Sequence, residues 1–266
     1  MNRGWILWIL AFLITLSSVV YQRLTGPTYP IRGSIVVNNE EIGFRLLRTH
    51  ETTSDAIMTI KVNDKNIRGG TVWKRYKSHD SLLTQPLIRK DSNLIITIPR
   101  QPMAGKIQYR VFLIDSAGTE HNLTDEPVII RFKGPVPGFV LFPHVIFMFL
   151  AMLLATRTGL EAIAKRKNTY RMTIATSILI LIGGLILGPA VQKYAFDAFW
   201  TGWPLGHDLT DNKMAVAMLF WIIALIKGRH AKKGRKWIII ASAVTLLIFL
   251  IPHSLLGSEI DYTKMN

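Results

Sequence analysis

Residues 139–156 read FVLFPHVIFMFLAMLLAT, and residues 157–171 follow as RTGLEAIAKRKNTYR. The first stretch carries no charge and is 18 residues long, enough for a helix to cross a hydrocarbon core about 30 Å thick. The second holds Arg157, Lys165, Arg166, Lys167 and Arg171 against one acid, Glu161. An uncharged span that runs straight into a short basic loop predicts a membrane crossing with its basic end on the cytosolic side, because lysine and arginine bias in short loops marks that side.

Working outward, further apolar segments lie at 172–191, 214–226 and 237–256, and loop 227–236 between the last two has six basic residues and no acid. Upstream, residues 4–21 are uncharged and follow Arg3. They read as an uncleaved anchor. A cleaved signal peptide is the alternative, although Ser17, Ser18, Val19, Val20 and Tyr21 offer no small-x-small cleavage site. Placing Arg3 and both basic loops inside gives five transmembrane helices, with residues 27–137 and the C-terminus outside. The organisation expected is therefore an N-terminal anchor (1–26), an extracytoplasmic β-domain (27–137) and a four-helix membrane domain (138–266) with an outer aromatic loop at 193–213.

Composition agrees. The chain has 266 residues, 49% hydrophobic and 18% charged, where a soluble domain has about 25% charged. It has no cysteine, which excludes disulfides, zinc–thiolate sites and cysteine nucleophiles. The net charge of +15 is explained by orientation, since Arg3 and the two basic loops hold 12 of the 32 basic residues and one of the 17 acids. A nucleic-acid footprint would need those cations on one folded face with interleaved aromatics, so no nucleic-acid partner is expected.

From 27 to 137 the pattern becomes short alternating runs between turns, with strands predicted at 31–37, 42–48, 56–62, 71–76, 94–98, 107–114 and 128–132. Seven short strands suit an antiparallel sandwich. Pro102, Met103, Ala104, Gly105, Lys106, Ile107, Gln108, Tyr109, Arg110 and Val111 resemble the turn and late strand of immunoglobulin-like or fibronectin type III modules. The resemblance implies an all-β immunoglobulin/fibronectin III-like sandwich, in which the tyrosine packs the sheet corner.

Candidate chemistry gathers at the outer interface. His144 lies early in the second helix, His207 in the loop before the fourth, and His253 in the last outer turn of the fifth. The fourth apolar run spans only 13 residues, so its helix must begin further back, capped by Asp208 or Thr210. That carries Asp211, Asn212 and Lys213 towards the membrane, where ionisable residues are costly and pair or line cavities. With Glu259 they define a candidate outer-leaflet site of His144, His207, Asp208, Asp211, Lys213, His253 and Glu259. Trp200 and Trp203 read as interfacial aromatics.

Two histidines at one depth, His144 and His253, could ligate haem b; histidines with carboxylates could hold a divalent metal; Asp, His and Glu together suit a proton relay. Gly184-x-x-x-Gly188 is a helix-packing device. No phosphate loop, HExxH or GxSxG appears. The function expected is a non-enzymatic component of a cytoplasmic membrane whose β-domain binds an extracytoplasmic protein partner. A haem- or metal-binding redox protein and a proton-coupled transporter are the alternatives.

Overall fold

The computed structural model describes residues 4–229, 234–252 and 257–264. Arg3, Lys232, Lys233 and His253 lie outside the described residues. The chain divides into a helical unit, Met1–Pro27 with Val136–Ser258, and a β unit, Thr28–Pro135 with Glu259–Asn266. The segment after Ser258 thus groups with the strands.

The helical unit contains α1 (Gly4–Thr25), α2 (Gly138–Ile163), α3 (Thr169–Ile180), a π-helical segment (Leu181–Leu187), α4 (Gly188–Phe196), α5 (Leu209–Gly228) and α6 (Arg235–Leu250). Four helices are long and apolar enough to cross a membrane: Gly4–Thr25, Gly138–Ile163, the continuous Thr169–Phe196, and Leu209–Gly228. Among the described residues the five transmembrane helices expected are corrected to four by this measure. α6 has 16 residues, about 24 Å at 1.5 Å per residue. Its end has a physical cause, because carbonyls in its last turn and in the two residues beyond it are taken by side chains of other helices. Lys213 Nζ donates to Ile251 O at 2.9 Å and Pro252 O at 3.4 Å, and Gln22 Nε2 donates to Phe249 O at 2.9 Å and Ile251 O at 3.3 Å. Pro252 brings no N–H to continue the ladder.

Basic loop 157–171 is also corrected. α2 runs on to Ile163, so Arg157 and Glu161 lie one turn apart on it, both buried, with Nη1 and Oε2 2.6 Å apart. The Arg157 guanidinium also sits 5.3 Å from the Trp8 ring centroid on α1. The cations left in the connection are Lys165, Arg166 and Lys167.

Small residues let the helices close. Ala151, Ala155, Gly159 and Ala162 form one buried stripe of α2, and Ser242 of α6 donates to Ala155 O at 2.9 Å. A Cβ on Gly159 would stand 2.7 Å from Ser242 Cβ. Gly159→Leu should therefore force α2 from α6 and cost about 1–3 kcal/mol, read as a lower thermal midpoint in detergent; an unchanged midpoint would refute this packing. Some buried hydroxyls are answered across helices, as with Trp221 Nε1 donating to Thr245 Oγ1 at 2.8 Å and the Thr158–Thr176 pair at 3.1 Å.

The Gly184-x-x-x-Gly188 stretch crosses the junction of the π-helical segment with α4. Pro189 has no N–H for the carbonyl four residues back, and its ring crowds that carbonyl; the wider π turns just before it accommodate both defects.

The β unit comprises β1 (Ile31–Val37), β2 (Glu40–Leu46), β3 (Thr49–Glu51), β4 (Ala56–Lys61), β5 (Arg68–Arg75), β6 (Leu83–Pro86), β7 (Ile88–Lys90), β8 (Asn93–Ile98), β9 (Lys106–Ile114), β10 (Glu120–Asn122) and β11 (Val128–Lys133). The expected immunoglobulin/fibronectin III-like sandwich is not what these strands build. They form a two-stranded sheet β1-β2, a three-stranded sheet β4-β8-β7, and a six-stranded sheet β3-β11-β9-β5-β6 with β10 on β9. β3 and β11 pair in parallel.

The departure starts at residues 42–48, which read as one strand. The chain bends at Arg48, so β2 stays with β1 and β3 leaves to join β11. The β1-β2 hairpin is pinned by Asn38 and Asn39, both at positive φ, as a two-residue type I′ turn requires. β9 buries every second residue, and Ile42, Leu46, Ile60, Ile96, Leu113 and Phe132 contribute to one apolar core. Tyr109 is buried and its hydroxyl donates to Leu47 O at 2.8 Å.

Candidate functional site

α4 ends at Asp197, whose left-handed φ of 60° turns the chain out. The connection that follows is held by the first turn of α5. Asp211 Oδ2 accepts from the Thr201 N–H at 2.6 Å, the Gly202 N–H at 3.0 Å and Gln192 Nε2 at 3.1 Å. Asn212 Oδ1 accepts from the Trp203 N–H at 2.7 Å. Three consecutive backbone donors therefore converge on two neighbouring side chains, a nest whose anion is the protein's own carboxylate.

Asp208 is the N-cap of α5, as its place before the apolar run predicts, and its Oδ1 accepts from the Thr210 N–H at 2.8 Å. Its Oδ2 accepts from the Ser258 N–H and hydroxyl, each at 2.9 Å. Thr201 Oγ1 lies within 3.4 Å of Asp208, 3.3 Å of Asp211 and 2.7 Å of Ser258 Oγ, with one proton to give.

The structure thus brings Asp208 and Asp211 together around Thr201. Lys213 is buried nearby on α5, and its ammonium donates to the Ile251 and Pro252 carbonyls just beyond α6. His207 is exposed. His144 donates Nδ1–H to Gly183 O at 2.9 Å, since a carbonyl can only accept, which leaves Nε2 with its lone pair in the neutral ring. A Cβ on Gly188 would lie 3.8 Å from His144 Cε1, and Gln192, one turn on, reaches Asp211. His144 and Gln192 therefore lie along one face of α4. Trp200 Nε1 donates to Trp203 O at 3.2 Å, and Trp203 is 76% exposed. Among the described residues no group of three or more His, Asp or Glu is placed to hold a metal ion. Sequence reasoning passed over Gln192 and Thr201, which look like ordinary polar residues until the loop folds back.

Glu259 belongs to the β unit, where it pairs with Lys77 and Lys106. Burial works to raise its pKa, but the two ammonium groups outweigh burial and hold it below the usual glutamate value. A depressed carboxylate contributes stability above its unfolded-state pKa and loses it as pH falls through the folded-state value. The tail should therefore stay docked at neutral pH and release below about pH 4. Hydrogen exchange at the Ile260 and Thr263 amides, which donate to Ala104 O and Lys77 O, reads this out; protection unchanged between pH 7 and pH 3 would contradict it.

No family model matches the chain and no curated protein does. Among solved structures, the crystal structure of the ArnB paralog VWA2 from Sulfolobus acidocaldarius is similar at 12% identity and a TM-score of 0.21, over 70% of this chain and 42% of that one. A likeness this slight assigns neither fold nor role.

Proposed function

We propose that the chain is a multi-pass protein of a cytoplasmic membrane that holds its β unit on the non-cytosolic side to bind a protein partner. The observation that carries this reading is that Glu259–Lys264 belong to the same unit as residues 28–135. A chain that leaves the β unit at Pro135 and rejoins it at Glu259 crosses the bilayer an even number of times in between. The basic connections after α2 and after α5 then share the cytosolic side, in keeping with the positive-inside rule. Alkaline phosphatase fused after Asn266 should be active, and green fluorescent protein fused there dark; the reverse pattern would overturn the reading.

Under this reading the carboxylates are structural. Asp208 and Asp211 shape the connection between α4 and α5, and their acceptor capacity is spent on its backbone and on Ser258. A haem-binding protein is the second reading, favoured by one feature. His144 donates Nδ1–H to a carbonyl and keeps Nε2 available, as an axial ligand requires. A purified sample with a Soret band lost on His144→Ala would support it; a colourless preparation of the folded protein would refute it.

A further inference from the structure

The β unit carries one segment that acts as a ligand of its own surface. Glu259 places its carboxylate between Lys77 and Lys106. The Tyr262 ring lies 4.6 Å below the Arg75 guanidinium carbon, and its hydroxyl donates to Gln101 Oε1 at 3.3 Å. Two backbone bonds fix the segment, from Ile260 to Ala104 and from Thr263 to Lys77. Gly105 leaves room for the ring, since a Cβ there would stand 2.8 Å from the Tyr262 hydroxyl.

Arg75 and Gln101, which hold Tyr262, also line a cavity of about 450 Å³ with Trp73, Lys74, Asp80, Ser81, Leu83 and Pro99; the Arg75 guanidinium is already paired edge-on with the Asp80 carboxylate at 2.7 and 2.8 Å, which leaves its face for a ring and not its edge for a second carboxylate. None of residues 259–264 is among the residues that line this space. Leu83, which lines the cavity, is 51% exposed. The surface therefore has three adjoining subsites: a pair of ammonium groups filled by a carboxylate, a guanidinium filled by an aromatic ring, and an apolar extension.

We propose that this surface is a docking groove for an extended acidic segment of a partner protein that bears an aromatic residue, and that residues 259–264 are its resident, displaceable occupant. The inference deepens the partner-binding reading above and rests on it. The occupant's chemistry follows from the one seated there. Carboxylates suit Lys77 and Lys106, an aromatic ring suits Arg75, and an apolar residue beyond the ring would reach Leu83 and Trp73. Such a partner gains contacts that the tail lacks, and so can replace it. Pro86 ends β6 and removes one donor from that free edge, which argues for side-chain subsites over added-strand pairing.

The test uses the full chain in detergent and a fluorescent peptide of residues 257–266. The double variant Glu259→Lys/Tyr262→Ala disables the resident tail and should bind the peptide saturably, at least tenfold more tightly than the intact chain. Adding Lys106→Glu should abolish that gain, and a peptide carrying Glu259→Lys should not bind. Glu259→Gln serves as the milder variant where the double one fails to fold. Equal binding by intact and disabled chains, binding indifferent to Lys106, or no binding by a folded disabled chain would each overturn the groove. These outcomes are independent of the fusion assay, which judges the display of the β unit and says nothing about its groove.

Discussion

Asp211→Ala is expected to lower the thermal midpoint of the helical unit more than any other substitution in the connection between α4 and α5. One oxygen answers the Thr201 and Gly202 N–H groups and Gln192 Nε2, and the residue is 7% exposed. Removing it strands buried donors, each costing about 1–3 kcal/mol, for a total of about 3–5 kcal/mol once the loop relaxes. Asp211→Asn keeps an oxygen and loses the charge, so it should fall between alanine and the native residue. Asp197→Asn, at a side chain 76% exposed and with a residue that tolerates the left-handed φ there, should change stability by under about 0.5 kcal/mol. The series also separates a clamp from a proton relay. A relay carboxylate predicts that Asp211→Asn abolishes flux in liposomes and leaves folding intact; the clamp predicts the stability loss.

The second large effect lies in α2. Glu161→Ala leaves the Arg157 guanidinium buried beside Trp8 with its counter-charge gone, and should cost about 3–5 kcal/mol. Arg157→Met combined with Glu161→Leu removes both charges, fills much of their volume, and should restore most of that loss. The Arg157 Nε has no acceptor among the described residues, so the native pair is incompletely satisfied and its apolar replacement sacrifices little. Unfolding of the single and double variants in one detergent gives the comparison. A double variant as unstable as Glu161→Ala would show that the pair itself, and not its neutrality, holds α2 in place.

What could be read from the sequence follows from the range of the signal. Apolar runs and strand alternation are local, and they located α1, α2, the α3–α4 rod, α5 and most strands; the short run at 214–226 correctly required an earlier start at Asp208. Pairing is not local. The alternation of Ile42, Phe44 and Leu46 loses its phase at Leu47 and Arg48, where the chain bends, but a local break does not say which strand the next segment joins, and so the parallel β3–β11 pair and the three-sheet arrangement were not legible. Arg157 looked like a loop cation because its partner Glu161 and the Trp8 ring become neighbours only when the helix continues and α1 packs against it. The polar site was half legible. Asp208, Asp211 and Lys213 stood out as charges beside an apolar run, whereas Thr201 and Gly202 act through backbone N–H groups that no side-chain pattern marks. Glu259 shares the acidic character of Asp208 and Asp211 but serves a different unit, since proximity in sequence to Ser258 does not fix which surface a tail joins.

The path of the chain through the bilayer is tested most directly by single cysteines, because the protein has none of its own. Ser81→Cys in the β unit, His207→Cys in the α4–α5 connection, Lys264→Cys in the tail and Lys167→Cys between α2 and α3 all place the thiol at exposed or largely exposed positions. A membrane-impermeant maleimide applied to intact cells with an opened outer envelope should label positions 81, 207 and 264, and should label 167 only after the membrane is permeabilised. Labelling of position 167 together with position 81 before permeabilisation would contradict the account.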